Sequence, residues 1–424
     1  MNKNLIWHPF TQQKNSVPEL KIIRGDGAYL FDADGNKYID LISSWWVNLH
    51  GHAHPEIARA IYNQALKLEH VIFAGFTHEP AIRLCEELSS LIPDRLTKFF
   101  FSDNGSTSVE VALKMAYQFW YNQGDREKTL FLSFDGSYHG DTLGAMSVSN
   151  SGFHDHFKKL QFQSIKIKFP HTWIGDTEIE EKEEVVLREL VEVLDEYSNK
   201  ISALILEPLV QGAGGMRMCR VSFLNRVLSA IKERGIFIIF DEVMTGFYRT
   251  GTLFALDQIL IKPDFLCISK GITGGFLPLA LTITTDIIYN AFLGDDFFRA
   301  FAHGHSYTAN PIACAAAIKS IEILKNSICN IININSAHLQ GLDILKQSER
   351  ISGLRVCGTI AAFEVHLLHA NLNAELKKRF LSKGMLLRPL GNTVYLLPPY
   401  CITQEEILNS YRDILEVVNG IQNE

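Results

Sequence analysis

Five short, nearly unbroken apolar runs recur along this chain: KFFFS (98–102), TLFLSF (129–134), ALILEP (203–208), IFIIFDE (236–242) and FLCISK (265–270). A strand with one wet face alternates apolar and polar residues, whereas a strand apolar on both sides must be covered on both. The segments between the runs have helical spacing. VEVALKMAYQFWYNQ puts Val109, Ala112, Leu113, Ala116 and Trp120 on one side, and SFLNRVLSAIKERG is amphipathic and stops at Gly235, a good C-cap. Short apolar strands alternating with helices predict an α/β fold whose mainly parallel sheet carries helices on both faces.

The flanks read differently. GDGAYLFDADGNKYIDL alternates around Asp34-Gly35 and predicts a β-hairpin. HPEIARAIYNQALKLEH turns helical, with Ile57, Ile61, Ala65 and Leu68 on one face. DTEIEEKEEVVLRELVEVLDEY (176–197) reads as a solvated helix with Val and Leu inward. NPIACAAAIKSIEILKN (310–326) is a long apolar helix leading into a smaller C-terminal unit, where FEVHLL, MLLRP and TVYLLP suggest a sheet. The expected division is a large domain over 51–326 and a small α+β domain over 327–424, with 1–50 joining the small one.

Charge and cysteine content narrow the function classes. Lys+Arg 40 against Asp+Glu 47 gives −7, without the basic surplus of a nucleic-acid binder. The seven cysteines are scattered, and no pair has CxxC spacing. That disfavours a disulfide framework or a structural zinc site, and most read as small core residues. MNKNLIWHPFTQQKN lacks an apolar leader core, and LALTIT and IFIIF fall far short of the roughly 18 residues of a membrane span. A cytoplasmic protein without a metal, membrane or nucleic-acid partner is expected.

In an open α/β sheet, ligands bind outside the carboxyl ends of the strands. The residues there are Asp103-Asn104-Gly105-Ser106, Tyr138-His139-Gly140-Asp141, Glu207, Asp241-Glu242 and Lys270. Asp241 follows five apolar residues, and a buried carboxylate is costly unless it faces a cation. Alone, it reads equally as a helix cap or a buried ion pair, and Lys270 alone as a snorkelling lysine. Together they suit pyridoxal phosphate, with the lysine as Schiff-base former and the aspartate keeping the pyridine nitrogen protonated. SDNGST, opening a helix, suits a phosphate: Gly105 allows close approach, Ser106 and Thr107 offer hydroxyls, and the helix N-terminus offers N–H groups. Tyr138 suits stacking on a planar ring, or core packing.

IIFDEVMTGFYRTG (238–251) followed by SKGITGG (269–275) resembles the signature of class III pyridoxal-phosphate-dependent aminotransferases, which have the fold type I architecture. NGSTSVEVALKMA, SYHGDT and HGHSYTANPIACAAA fit the same family, and the resemblance runs from about residue 7 to 400. WHPF (7–10), SSWW (43–46), QGAGGMRM (211–218) and LRPLGNTVYLLPPY (387–400) resemble the branch that aminates 8-amino-7-oxononanoate in biotin synthesis. Met244, where many ω-amino acid members carry Gln, points the same way.

The resemblance implies roles. Lys270 is the Schiff-base lysine, Asp241 pairs with the pyridinium, Gly105 and Ser106 hold the phosphate, and Tyr138 stacks on the ring. The family's sites lie at a homodimer interface, so His305 and Ser306 reach the neighbouring subunit's phosphate, and Gly304 lines the substrate pocket. Trp45 and Tyr138 flank the substrate, Arg388 takes the keto acid's carboxylate, and Arg249 helps select the amino donor. The usual donor is S-adenosylmethionine; lysine as donor, or an ω-amino acid substrate instead, stay open. Read without the family, Trp45-Trp46 could be core packing and Arg388 a surface ion pair. Two departures stand out: Phe10 replaces the usual Tyr, and His305-Ser306 replaces a common Pro-Thr.

Overall fold

The computed structural model describes residues 5–15, 19–369 and 371–422; residues 1–4, where the stretch read for a leader begins, lie outside the described residues. The first strands, β1 (Ile22–Asp26), β2 (Tyr29–Asp32) and β3 (Lys37–Asp40), form an antiparallel meander. The expected hairpin is present. Asp32 accepts the N–H groups of Asp34 (3.0 Å) and Asn36 (2.8 Å), and Gly35 takes the left-handed φ of +88° that the turn needs.

The apolar runs then appear as β4 (Leu96–Ser102), β5 (Leu130–Phe134), β6 (Ile165–Ile167) and β7 (Ile201–Leu206). A two-stranded ribbon, β8 (Val210–Gln211) and β9 (Arg217–Met218), interrupts the series before β10 (Phe237–Asp241), β11 (Phe265–Ile268) and β12 (Ala280–Thr285). Among the described residues they build a seven-stranded sheet in the order β4-β12-β11-β10-β7-β5-β6. LALTIT, noted above only as too short to cross a membrane, forms most of β12. It alone runs against the others, pairing antiparallel with both β11 and β4. The sheet is therefore mixed but mainly parallel, and β4, β5, β7, β10 and β11 end on the same edge.

Period-2 alternation divides the core between the two faces of this sheet. Leu204, Leu206, Ile238, Phe240, Leu266 and Ile268 join one buried cluster with Leu84, Leu190 and Val227 of the flanking helices. Ala203, Ile205, Ile239, Phe265 and Cys267 join the other, under Val109, Ala112 and Ala116 of the helix Gly105–Asn122. That explains why these strands are almost wholly apolar up to the residues that end them.

The C-terminal sheet differs in one respect from expectation. β13 (Ile351–Cys357), β14 (Ile360–Val365) and β16 (Thr393–Leu396) pair antiparallel, but MLLRP does not join them. Its strand β15 (Met385–Leu386) pairs parallel with β3. The cause is local: Leu390 and Thr393 exchange backbone hydrogen bonds (2.8 and 3.0 Å), a tight turn that separates β15 from β16.

Smaller expectations also shift. On the charged helix Ile179–Tyr197, Val186, Leu190 and Leu194 face inward, but Val185 and Val191 are exposed. Glu183 is buried there instead, held by a bidentate pair with Arg220 (2.8 and 2.7 Å). The helix Pro55–Ala65 buries Ile57 but exposes Ala65, and Cys329 and Cys401 are exposed rather than core. No described helix is long and apolar enough to cross a membrane.

Candidate active site

Strand register assembles the site. β10 pairs in parallel with β7 through Phe240 and Leu206, so Asp241 and Glu207 are the next residues on neighbouring strands. On the other side Asp241 pairs with Cys267, three residues before Lys270. Asp241, Glu207 and Lys270, with Gly105, Ser106 and Tyr138, line one cavity of about 1990 Å³.

The two carboxylates are held by nearby backbone and side-chain groups. Asp241 is buried, accepts the Val243 N–H at Oδ1 (3.1 Å), and has His139 Nδ1 2.7 Å from Oδ2. Glu207 accepts the N–H groups of Tyr138 (2.8 Å) and Gly212 (2.7 Å). Burial, aided by the nearby Asp241 carboxylate, pushes Glu207 up to about 8. Burial also lowers the pKa of Lys270, against the opposing pull of Asp241 and Glu207. The Lys270 ammonium forms no hydrogen bond or ion pair among the described residues and lies 4.8 Å from the Trp46 ring centre. Its own φ is +42°, a conformation costly for a residue with a Cβ.

The SDNGST turn forms a cradle with no spare room. A Cβ on Gly105 would lie 2.6 Å from Val243 Cγ1, and one on Gly140 would lie 2.1 Å from Ser106 Oγ. Asn104 caps the helix by accepting the Thr107 N–H (3.0 Å), while the Asp141 N–H donates to Ser106 Oγ (3.2 Å). A small, N–H-rich cradle, an unpaired lysine and a buried carboxylate around one cavity fit the phosphate, the aldehyde and the ring nitrogen of pyridoxal phosphate.

An apolar wall closes another side. Ser43, Ser44, Trp45 and Trp46 have φ of 50°, 45°, 75° and 75°, a left-handed turn of four residues, none of them glycine. Each such residue costs roughly 1–2 kcal/mol. Trp46 is buried against Tyr395, to whose hydroxyl its indole N–H donates (3.1 Å). Trp45 packs edge-on against Phe10 (5.6 Å), which also meets Phe153 (5.5 Å). The Arg388 guanidinium stacks 4.1 Å from the Trp45 ring centre and forms no ion pair among the described residues. Tyr138 donates its hydroxyl to Asp141 (2.8 Å), and burial and that bond raise its pKa.

Two sets of expected residues stand apart. Arg249 does not line the cavity. It is fully buried, donates to the carbonyls of Pro398 (2.8 Å) and Asn48 (3.2 Å), and lies over Tyr400. Those bonds occupy the guanidinium with backbone, so in this chain it braces the loops behind the site. Gly304, His305 and Ser306 lie on a surface loop and do not line this chain's cavity. Two contributors had no role assigned from sequence. His139 directly follows Tyr138, but only the folded sheet brings it to Asp241, 102 residues on. Glu207 was visible as a strand-end residue, without any sign that it would sit beside Asp241.

The chain matches the family described as aminotransferase class-III over residues 10–418. It is 48% identical to an adenosylmethionine-8-amino-7-oxononanoate aminotransferase of Synechococcus elongatus, over 98% of this chain and 99% of that protein. The crystal structure of the similarly named protein of Methanocaldococcus jannaschii superposes with a TM-score of 0.91 at 38% identity, covering 98% of this chain and 97% of that one. An amine transaminase from an uncultivated Pseudomonas species, solved with pyridoxal phosphate bound, gives 0.90 at 29% identity, covering 98% of both chains. A match over nearly the whole chain, on a sheet edge that gathers a lysine, a carboxylate and an anion cradle, leaves one conclusion: this protein belongs to the class-III aminotransferases.

Proposed function

We propose that this chain transfers an amino group from S-adenosylmethionine to 8-amino-7-oxononanoate, giving 7,8-diaminononanoate in biotin synthesis. The observation that carries the substrate is the near full-length likeness, 48% identical, to a relative named for that reaction. The site agrees with a long apolar keto acid: Trp45 and Phe10 offer an apolar wall, and Arg388 offers an unpaired guanidinium for its far carboxylate.

Pyridoxal phosphate, when bound, supplies an electron sink for the carbon that gains or loses the amino group. Lys270 is its covalent anchor and, once released, the base that moves the substrate proton. Its lowered pKa leaves more of the amine neutral for that task. Asp241, oriented by His139, holds negative charge at the ring nitrogen. Gly105 and Ser106 hold the phosphate, Tyr138 covers the ring, and Gly304, His305 and Ser306 serve the partner's site in a cytoplasmic homodimer. The chain divides into a large unit over 51–326 and a small one over 327–424, and the β3–β15 pairing supports grouping 1–50 with the small one.

The test is direct. Purified protein incubated with 8-amino-7-oxononanoate and S-adenosylmethionine should yield diaminononanoate by mass, with lysine as donor run in parallel. Borohydride should fix the cofactor onto Lys270. Turnover of an ω-amino acid with no diaminononanoate overturns the substrate, and label on a different lysine overturns the anchor.

A further inference from the structure

The left-handed turn Ser43–Trp46 needs something to hold it, and the structure supplies a buried clasp. The Asp40 carboxylate, wholly buried at the end of β3, accepts the Ile42 N–H at Oδ1 (3.2 Å) and the Ser44 hydroxyl at Oδ2 (2.7 Å). His52 Nε2 lies 2.9 Å from the same Oδ2. The Asn48 amide donates to His52 Nδ1 (3.1 Å), which places the ring proton on Nε2, facing Asp40. The turn is also pinned from the far side, where the Ser43 hydroxyl donates to the Leu397 carbonyl (2.8 Å). Leu41 N–H donates to the Leu386 carbonyl (3.3 Å), two residues before Arg388.

None of these clasp groups touches the reacting atoms. What they fix is the conformation that turns Trp45 toward Arg388 and Trp46 toward Lys270. A residue of the Asp40 type is not needed to end a strand, and its three donors meet beside the longest run of left-handed non-glycine residues among those described. We propose that Asp40, braced by His52, is a positioning residue that sets substrate affinity by holding the Trp45-Trp46 wall in place. Only the ligand's chemistry, an apolar chain ending in a carboxylate, rests on the reading above.

Asp40→Asn tests it. An amide places a donor where either Ser44 and His52, or the Ile42 N–H, also donate, so at least one bond is lost whichever way it turns. The holoenzyme variant should bind nonanoate, an unreactive chain with one carboxylate, about tenfold more weakly. KM for the keto acid should rise in proportion while kcat changes little, and cofactor absorbance should stay. Trp45→Ala should weaken nonanoate similarly, and the double variant should be no worse than Trp45→Ala alone. Additive losses, or unchanged nonanoate affinity in Asp40→Asn, overturn the proposal. If Asp40→Asn does not fold, Ser44→Ala removes one bond of the clasp and runs through the same cycle. Nonanoate binding needs no turnover, so a wild type that fails to aminate the keto acid sinks the substrate reading and leaves this cycle to decide separately.

Discussion

At the scale of single residues, the site depends on charges kept out of water beside each other. Asp241 sits between Glu207 and the Lys270 segment, with His139 2.7 Å away. Asp241→Asn should retain the fold and the cofactor but lose roughly 10²–10³-fold in kcat, the usual cost of removing one preorganised electrostatic partner. Half-reaction rates and the absorbance spectrum of the variant check this; near-wild-type rates would remove Asp241 from its role. Arg388→Ala should slow the keto-acid half-reaction about 10–100-fold, since hydrogen bonds to a charged group are worth roughly 1.5–3 kcal/mol. The donor half-reaction should change less, and stopped-flow spectra of the two halves decide; equal losses would make Arg388 a structural group. Lys270 and Asp241 were legible because apolar runs announce the residues that end them. His139 was not, because no local pattern reports a contact 102 residues away. The surroundings of Arg249 were not legible either, because its motif says nothing about which carbonyls accept from it after folding.

Among elements, the helices Ile328–Leu345 and Gln404–Asn419 meet across a buried histidine. His338 Nε2 donates to the Thr359 carbonyl (3.1 Å), and Tyr411 donates its hydroxyl to Nδ1 (2.9 Å). With the ring neutral both nitrogens and the Tyr411 hydroxyl are satisfied, and burial pushes the histidine pKa down to about 4 from 6.5. The folded state thus binds this proton more weakly than the unfolded state. Its contribution to stability is intact above pH 6.5 and is lost as pH falls through the window down to about 4, by up to about 3 kcal/mol. Urea midpoints at pH 7 and pH 4.5 should differ accordingly, and His338→Gln should flatten that dependence; an unchanged slope would place the acid sensitivity elsewhere. The same region marks the limit of pattern reading. Continuous apolar strands fixed the large sheet because burial on both faces leaves a composition signature. MLLRP carries the same apolar signature as its neighbours, yet a tight turn at Leu390–Thr393 sends it to another sheet, and composition does not encode partner choice.

For the whole molecule, large apolar side chains stand exposed within 70–76 and within 297–307. Ile72, Phe76, Phe297, Phe298 and Tyr307 are each at least 60% exposed, and Tyr307 packs against His70. Large exposed apolar side chains such as Ile72, Phe76 and Tyr307, on segments that meet at His70 and Tyr307, mark an interaction surface. In the same region the HGHSYT loop is already shaped, with the His305 N–H donating to Thr308 Oγ1 (3.2 Å), while Ser306 stays exposed and touches no part of this chain's own cavity. A twofold homodimer would cover the first surface and deliver the second to the partner's cofactor phosphate. Light scattering should give twice the 47.9 kDa chain mass. Complementation then separates a shared site from a mere contact. Lys270→Ala lacks the anchor, and Ser306→Asp sets a negative charge against the phosphate, so each variant alone should be nearly inactive. If Lys270 and Ser306 serve the same site from different chains, a mixed dimer holds one site with both defects and one with neither. Random exchange of equal amounts should then restore about a quarter of wild-type sites, half the dimers being mixed and half their sites intact. If each chain completes its own site, every site in every mixed dimer keeps one defect and no activity returns.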